Sequence, residues 1–257
     1  MSQSGFVAGT WVYTDQGLIP IEQLNVGDRV LSMPEEGIGE KAYKRVLKTF
    51  KSPTKQKIMS PIDGIYCTDN HPFWVKKGAV RANSTWVSAE QLNLSDSLYQ
   101  LVEPALGYLE GPRYYERKRD PYGIGGLYLI ATDQDGIALF LRKNDGNYLG
   151  DGAGIVDFRN GYPQEILTND KESFLGTDSY SSDVPTNGLA YKYLDKDKDQ
   201  VEIKFYSDLL YRYVVPDWAD DAKSEVYYDY VYNIEVEDYH TYFVGPMGIW
   251  VPTQGKH

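Results

Sequence analysis

The stretch "GFVAGTWVYTDQGLIPIEQLNVGDRVLS", residues 5–32, alternates apolar and polar residues from Trp11, breaks at Gly17 and reaches a Glu-Gln-Leu-Asn step before another apolar run. Period-two alternation punctuated by glycine is the pattern of short, half-buried strands joined by tight turns. Part of the stretch recurs. "IEQLNVGDRVLS" from Ile21 aligns with "AEQLNLSDSLYQ" from Ala89 at an offset of 68 residues, with Glu, Gln, Leu, Asn and Asp in register. Strand-like runs precede both copies, "TWVYTDQGLIP" and "PFWVKKGAVRANSTWV". In each copy the acid-Gln-Leu segment reads as one helical or turn-like step that ends at Asn and leads into a strand. Chance similarity of a turn motif is one account. Because the flanks repeat as well, the favoured account is a pair of duplicated β-subdomains with approximate two-fold symmetry, forming one unit from about residue 5 to 100.

Composition agrees with a β-rich globular chain. The 257 residues include 23 Tyr and 24 Gly, which favour strands and tight turns, and 42% are hydrophobic. The expected fold class is all-β, mostly β. A formal charge of -11 opposes binding to nucleic acid or anionic lipid, which call for a basic face. The short basic cluster "RYYERKRD", 113–120, reads as a solvated strand or loop. A single cysteine, Cys67, excludes an intrachain disulfide framework and any cysteine-based structural zinc site, and reads as a small buried strand residue. No apolar run approaches the roughly 18 residues of a membrane span, and the N-terminus does not read as a signal peptide. The expectation is a soluble chain, cytoplasmic unless exported as part of a larger protein, with no membrane partner and no cofactor.

Between the β-unit and the C-terminus the texture changes. Asp-Gly pairs at 135, 145 and 151 separate apolar runs and are strong hairpin signals. A Ser/Asp-rich loop follows at 176–188, then a short helix is expected around 206–212, and Pro216 with the acidic "DWADDAKSE" marks a boundary. The last segment, "VYYDYVYNIEVEDYHTYFVGPMGIWVP", resumes the aromatic strand pattern. The predicted organisation is one β-domain made of 5–100 and 226–253, split by a strand-rich insertion, 101–225.

Two of the three histidines stand in similar strand-flanked company, His71 in "CTDNHPFWV" and His240 in "VEDYHTYFVG". With residues 5–32 and the C-terminal "VYNIEVEDYHTYFVGPMGIWV", these motifs resemble the Hint family. That is the fold shared by inteins, bacterial intein-like domains, Hedgehog autoprocessing domains and the pre-toxin processing domains of polymorphic toxins. The resemblance covers roughly 5–100 and 226–252, and implies a pseudo-two-fold β-fold with autocatalytic cleavage or splicing chemistry. In such a domain a first-residue thiol or hydroxyl attacks the carbonyl before it, converting an amide into a thioester or ester. By its match to the family's Thr-x-x-His block, His71 would protonate or polarise the scissile amide, with Thr68 hydrogen-bonding nearby. His240 would assist the later step or position the chain end. The substrate implied is the flanking polypeptide, in cis.

Several positions depart from the family pattern. The nucleophile falls on Gly5, which has no side chain, and a hydroxyl at Ser4 would face a different peptide bond. Pro252 and Thr253 stand where the family has His-Asn, so no succinimide can form there. Asn233 stands where an acidic residue is common, and an amide cannot relay a proton as a carboxylate does. The expectation is therefore an inactive variant, either naturally degenerate or altered to trap the precursor. The alternative is a non-catalytic scaffold that presents the insertion to a protein partner, within a polymorphic toxin system. Slow hydrolysis by water, with His71 and His240 as acid and base, is a third reading.

The insertion offers little chemistry of its own. Residues 101–225 contain no histidine and no paired-acid endonuclease motif. "DKDKD", 195–199, alternates acids as a calcium loop does, but Gln200 and Tyr206 stand where that loop needs Gly and Glu, so it reads as a solvated turn. No metal site is expected.

Overall fold

In the computed structural model the described residues are 3–62, 64–77, 83–92, 96–101, 128–142, 152–168, 190–195, 197–214 and 225–253. The basic cluster 113–120, the loop 176–188, Pro216 and the acidic stretch up to Ser224 lie outside them. The chain divides into two compact units, Met1–Tyr114 with Tyr228–His257, and Tyr115–Tyr227.

The first unit begins with β1 (Phe6–Val7), β2 (Trp11–Thr14), β3 (Gly17–Pro20), β4 (Arg29–Ser32), β5 (Ala42–Lys51) and β6 (Gln56–Lys57). It continues with β7 (Met59–Ile62), β8 (Ile65–Cys67), β9 (Pro72–Lys76), β10 (Thr85–Ser88) and β11 (Ser97–Leu98). The sequence repeat is a structural repeat. β2 pairs antiparallel with β3 and β4, and β9 pairs antiparallel with β10 and β11. The two Glu-Gln segments form matching 3-10 turns, Ile21–Gln23 and Ala89–Gln91, each entered and left through extended backbone.

The backbone hydrogen bonds extend the correspondence. Thr10 N–H reaches the Val7 carbonyl at 3.4 Å as His71 N–H reaches that of Thr68 at 3.2 Å. The Thr10 and His71 carbonyls each then accept the first N–H of a 3-10 turn, from Ile21 and Ala89, at 2.8 Å. His71 is thus the counterpart of Thr10 in the other half.

The second unit holds β12 (Ile130–Ala131), β13 (Ile137–Arg142), β14 (Gly152–Asp157), β15 (Gln164–Thr168), β16 (Ala190–Leu194) and α1 (Gln200–Val214). The strands lie in that order, antiparallel up to β15 and parallel between β15 and β16. Asp135-Gly136 makes the turn between β12 and β13, with Gly136 at φ 75. Gly152 already belongs to β14, and Asp145, Gly146 and Asp151 lie outside the described residues.

The helix starts earlier and ends later than 206–212, because Ile203, Tyr206 and Leu209 form one apolar stripe, which packs with Ile137, Leu139 and Ile155. The acidic "DKDKD" is its entry turn. The Asp195 carbonyl accepts the Asp199 N–H, the Asp199 carboxylate accepts the Asp195 N–H at 2.7 Å, and Lys198 pairs with Asp195. Among the described residues no cluster of His, Cys, Asp and Glu could hold a metal ion, and no helix is long and apolar enough to cross a membrane.

The chain then returns to the first unit with β17 (Tyr228–Asp229), β18 (Val231–Val236), β19 (Thr241–Val244) and β20 (Ile249–Pro252). The main sheet of this unit runs β20-β19-β2-β4-β5-β18-β1-β8-β7. Its fold is mostly β, with the closing strands inserted among the first ones. The core includes Phe6, Val12, Val46, Ile65, Phe73 and Ile234, all at most 1% exposed. A separate cluster sets Trp74, Trp86 and Trp250 with ring centroids 4.9 Å apart.

In the second unit the buried Asp157 carboxylate takes a two-pronged contact from Arg159 and the Tyr206 hydroxyl at 3.1 Å. Burial alone would raise its pKa, but these donors outweigh burial and hold it below the ordinary 3.8. A carboxyl depressed in the fold stabilises it above the unfolded pKa, and that contribution disappears as pH falls through the folded value. Chemical denaturation of the chain across an acid pH series should show this loss. Asp157→Asn should lower neutral-pH stability by about 1–3 kcal/mol and flatten the acid slope.

Candidate functional site

The site is organised by β1, two residues long and bonded on both edges. Phe6 pairs with Tyr232 of β18 on one side and with Cys67 of β8 on the other. Gly5 immediately precedes this strand. Its N–H donates to Thr68 Oγ1 at 3.2 Å, and its carbonyl accepts the Thr68 N–H at 3.0 Å. On the opposite side Asn233 Nδ2 donates to the Ser4 carbonyl at 3.2 Å. The Ser4–Gly5 peptide is therefore held at its oxygen by β18 and at its nitrogen by the residue after β8.

His71 is fully buried, its ring centroid 4.2 Å from that of Phe6 and 5.6 Å from that of Phe73. The tight turn between the Thr68 carbonyl and the His71 N–H ties the ring's position to the residue that grips Gly5. Gly5, Thr68, His71 and Asn233 are thus brought together. His240, Pro252 and Thr253 make a second group: Thr253 N–H donates to the His240 carbonyl at 2.8 Å, and Pro252 pairs with Thr241 across β19 and β20. His240 takes a left-handed backbone, φ 54, in the turn after β18, a conformation that costs a non-glycine residue about 1–3 kcal/mol unless its surroundings impose it. Its successor Thr241 is pinned to the end of β4 by Ser32, whose hydroxyl donates to the Thr241 carbonyl at 2.7 Å.

Three features of this site were missed in the sequence. Gly5 does not have a positive φ; what requires glycine is space, because a Cβ there would lie 2.5 Å from the Tyr232 carbonyl oxygen. Tyr242, fully buried, donates its hydroxyl to Asn233 Oδ1 at 2.8 Å. Its setting in "HTYFV" reads as a core strand, and the only hint of a polar role is that a buried phenol needs a hydrogen-bond partner. Third, Phe6 supplies the ring that His71 meets edge-to-face, at an interplanar angle of 61°. Cys67 is buried, and burial, reinforced by the Asp69 charge, pushes its thiol well above the ordinary range, so it stays neutral.

Residues 11–104 match the pretoxin HINT domain family. Over that stretch, somewhat over a third of its length, the chain is similar to Hint domains. Solved structures similar to the chain include the bacterial intein-like domain from Clostridium thermocellum, at 20% identity, 98% of this chain and 100% of that one covered, TM-score 0.39. The DnaB intein from Synechocystis sp. PCC 6803 gives 9% identity, 98% and 99% coverage and TM-score 0.40. The gp41-1 intein gives 14%, 98% and 100%, and TM-score 0.33. None of the curated proteins matches.

The close approach of β1 and β18 gives a direct test. Gly5→Ala forces the Cβ against the Tyr232 carbonyl, and overpacking of this kind costs about 1–3 kcal/mol. A lowered urea midpoint is expected; an unchanged midpoint would show that β1 moves aside freely.

Proposed function

We propose that this chain is built on a Hint domain, an autoprocessing module, that keeps the frame of its cleavage site and lacks the chemistry. The observation that carries this reading is the closed space at Gly5, where the Tyr232 carbonyl occupies the region into which a nucleophile's Cβ would project. An acyl shift needs a thiol or hydroxyl at that residue to attack the Ser4 carbonyl. Here there is neither the atom nor the room.

The C-terminal end supports the same reading. A succinimide forms when an Asn side-chain amide attacks its own main-chain carbonyl, and Thr253 has no amide. Pro252, preceding it, has no imidazole to assist. What remains is a rigid holder for the Ser4–Gly5 peptide, in which Thr68, His71 and Asn233 keep the places of a catalytic set. In this proposal residues 101–225 are an insertion that the holder presents to a protein partner, as a processing module of a polymorphic toxin system would.

The experiment is a chain with reporter proteins fused before Met1 and after His257, incubated with dithiothreitol and resolved on a gel. The unsubstituted chain should stay intact, and a fragment starting at Gly5 would overturn the proposal. Gly5→Cys combined with Pro252→His and Thr253→Asn separates a trapped enzyme from a pure scaffold. Release of both reporters means that only nucleophiles were missing. An intact chain means that the closed space has made the frame structural.

A further inference from the structure

The hydrogen bonds around Asn233 have a definite direction. The backbone N–H of Ile234 lies 2.8 Å from Asn233 Oδ1, and a backbone N–H can only donate. The atom facing it is therefore the amide oxygen, which leaves Nδ2 on the side of the Ser4 carbonyl. Tyr242 Oη lies 2.8 Å from the same Oδ1, which carries no hydrogen, so the phenol must be the donor. Proton donation runs one way, from Tyr242 O–H to Asn233 C=O, and from Asn233 N–H to Ser4 C=O. Tyr242 is 0% and Asn233 2% exposed, so the first link is closed to water, while the second ends on the half-buried Ser4.

We propose that Tyr242 and Asn233 form a relay that positions and polarises the Ser4 carbonyl, with Tyr242 a positioning residue acting through Asn233. The inference rests on the reading of Ser4–Gly5 as the peptide around which this domain is built. A donor on an amide oxygen draws electron density from its nitrogen and makes the N–H a stronger donor, an effect enhanced where the local dielectric is low. Burial, reinforced by Cys67, pushes the Tyr242 hydroxyl well above its ordinary pKa, so it remains a neutral donor.

The relay gives the amide at 233 a use of its own. An ionised carboxylate accepts only, and at this position it would face the Ser4 carbonyl oxygen with no proton to share. Asn233 supplies the donor that a carbonyl needs, and the same donor would face the negative oxygen formed if that carbonyl were attacked. Thr68 holds the other end of the same peptide, so the two grips can be probed separately.

Ser4–Gly5 is the only Ser-Gly pair in the sequence. The full chain labelled with carbonyl-13C serine and 15N glycine therefore gives a single correlation, reporting the Ser4 carbonyl carbon and the Gly5 N–H. Tyr242→Phe removes one oxygen and keeps the ring. It should move the Ser4 carbonyl carbon upfield while the Gly5 amide proton, held by Thr68, stays in place. Asn233→Asp should move the same carbon further, and Thr68→Ala should move the Gly5 proton and leave the carbon. An unmoved carbon in Tyr242→Phe overturns the relay, as does a shift of both nuclei together in every variant. If Tyr242→Phe does not fold, Asn233→Asp decides by the same readout. No cleavage is needed, so the relay and the proposed function fail on different results.

Discussion

The double pairing of β1 is the constraint from which the site follows. Two residues, Phe6 and Val7, bridge β8 from the first part of the chain and β18 from its end. Such a short strand has few backbone bonds of its own, and it is held by burial. Phe6 and Val7 are both fully buried, and enclosing each side chain contributes about 1.5–3 kcal/mol. Once they are fixed, Gly5 and Ser4 have little freedom. Thr68 and Asn233 then fall on opposite ends of one peptide because they belong to the strands, or follow the strand, that β1 joins.

Internal symmetry explains why His71 is where it is. In the first half the turn after β1 carries Thr10, whose carbonyl receives the start of a 3-10 turn; in the second half the turn after β8 carries His71, whose carbonyl does the same. The backbone uses both residues alike. Only the side chains differ, and at the junction of the halves an imidazole is packed against Phe6. A repeated frame thus carries different side chains at equivalent points, and the Ser4–Gly5 peptide lies where the halves meet. The Tyr232 carbonyl beside Gly5 belongs to the same junction, so the tightness that positions the peptide also closes the space for a side chain on it.

Much of this was legible in the sequence. The alternation after Trp11 announced the strands, the recurrence of Glu-Gln-Leu-Asn announced the two halves, and the company of His71 and His240 carried part of the resemblance to Hint domains. The helix was harder to bound. Its N-terminal turn is masked by the acidic "DKDKD", whose Asp195 and Asp199 read as solvated charge but organise the helix entry. Tyr242 was not legible as a site residue, since an aromatic in a buried strand has the same pattern whether or not its hydroxyl is used.

The sequence by itself determined the strand pattern, the recurrence of the Glu-Gln-Leu-Asn step, and the presence of Gly5 and Pro252-Thr253, on which the proposed loss of chemistry rests. Residue types and spacings carry that information directly. Only the tertiary structure decided that Gly5 is enclosed by a neighbouring carbonyl, and that Tyr242 reaches Ser4 through Asn233. The first depends on a backbone oxygen, which every residue possesses and no residue type advertises. The second depends on a hydrogen bond whose partners, Ser4 and Asn233, stand 229 positions apart. Such contacts exist only after β18 has come to lie beside β1.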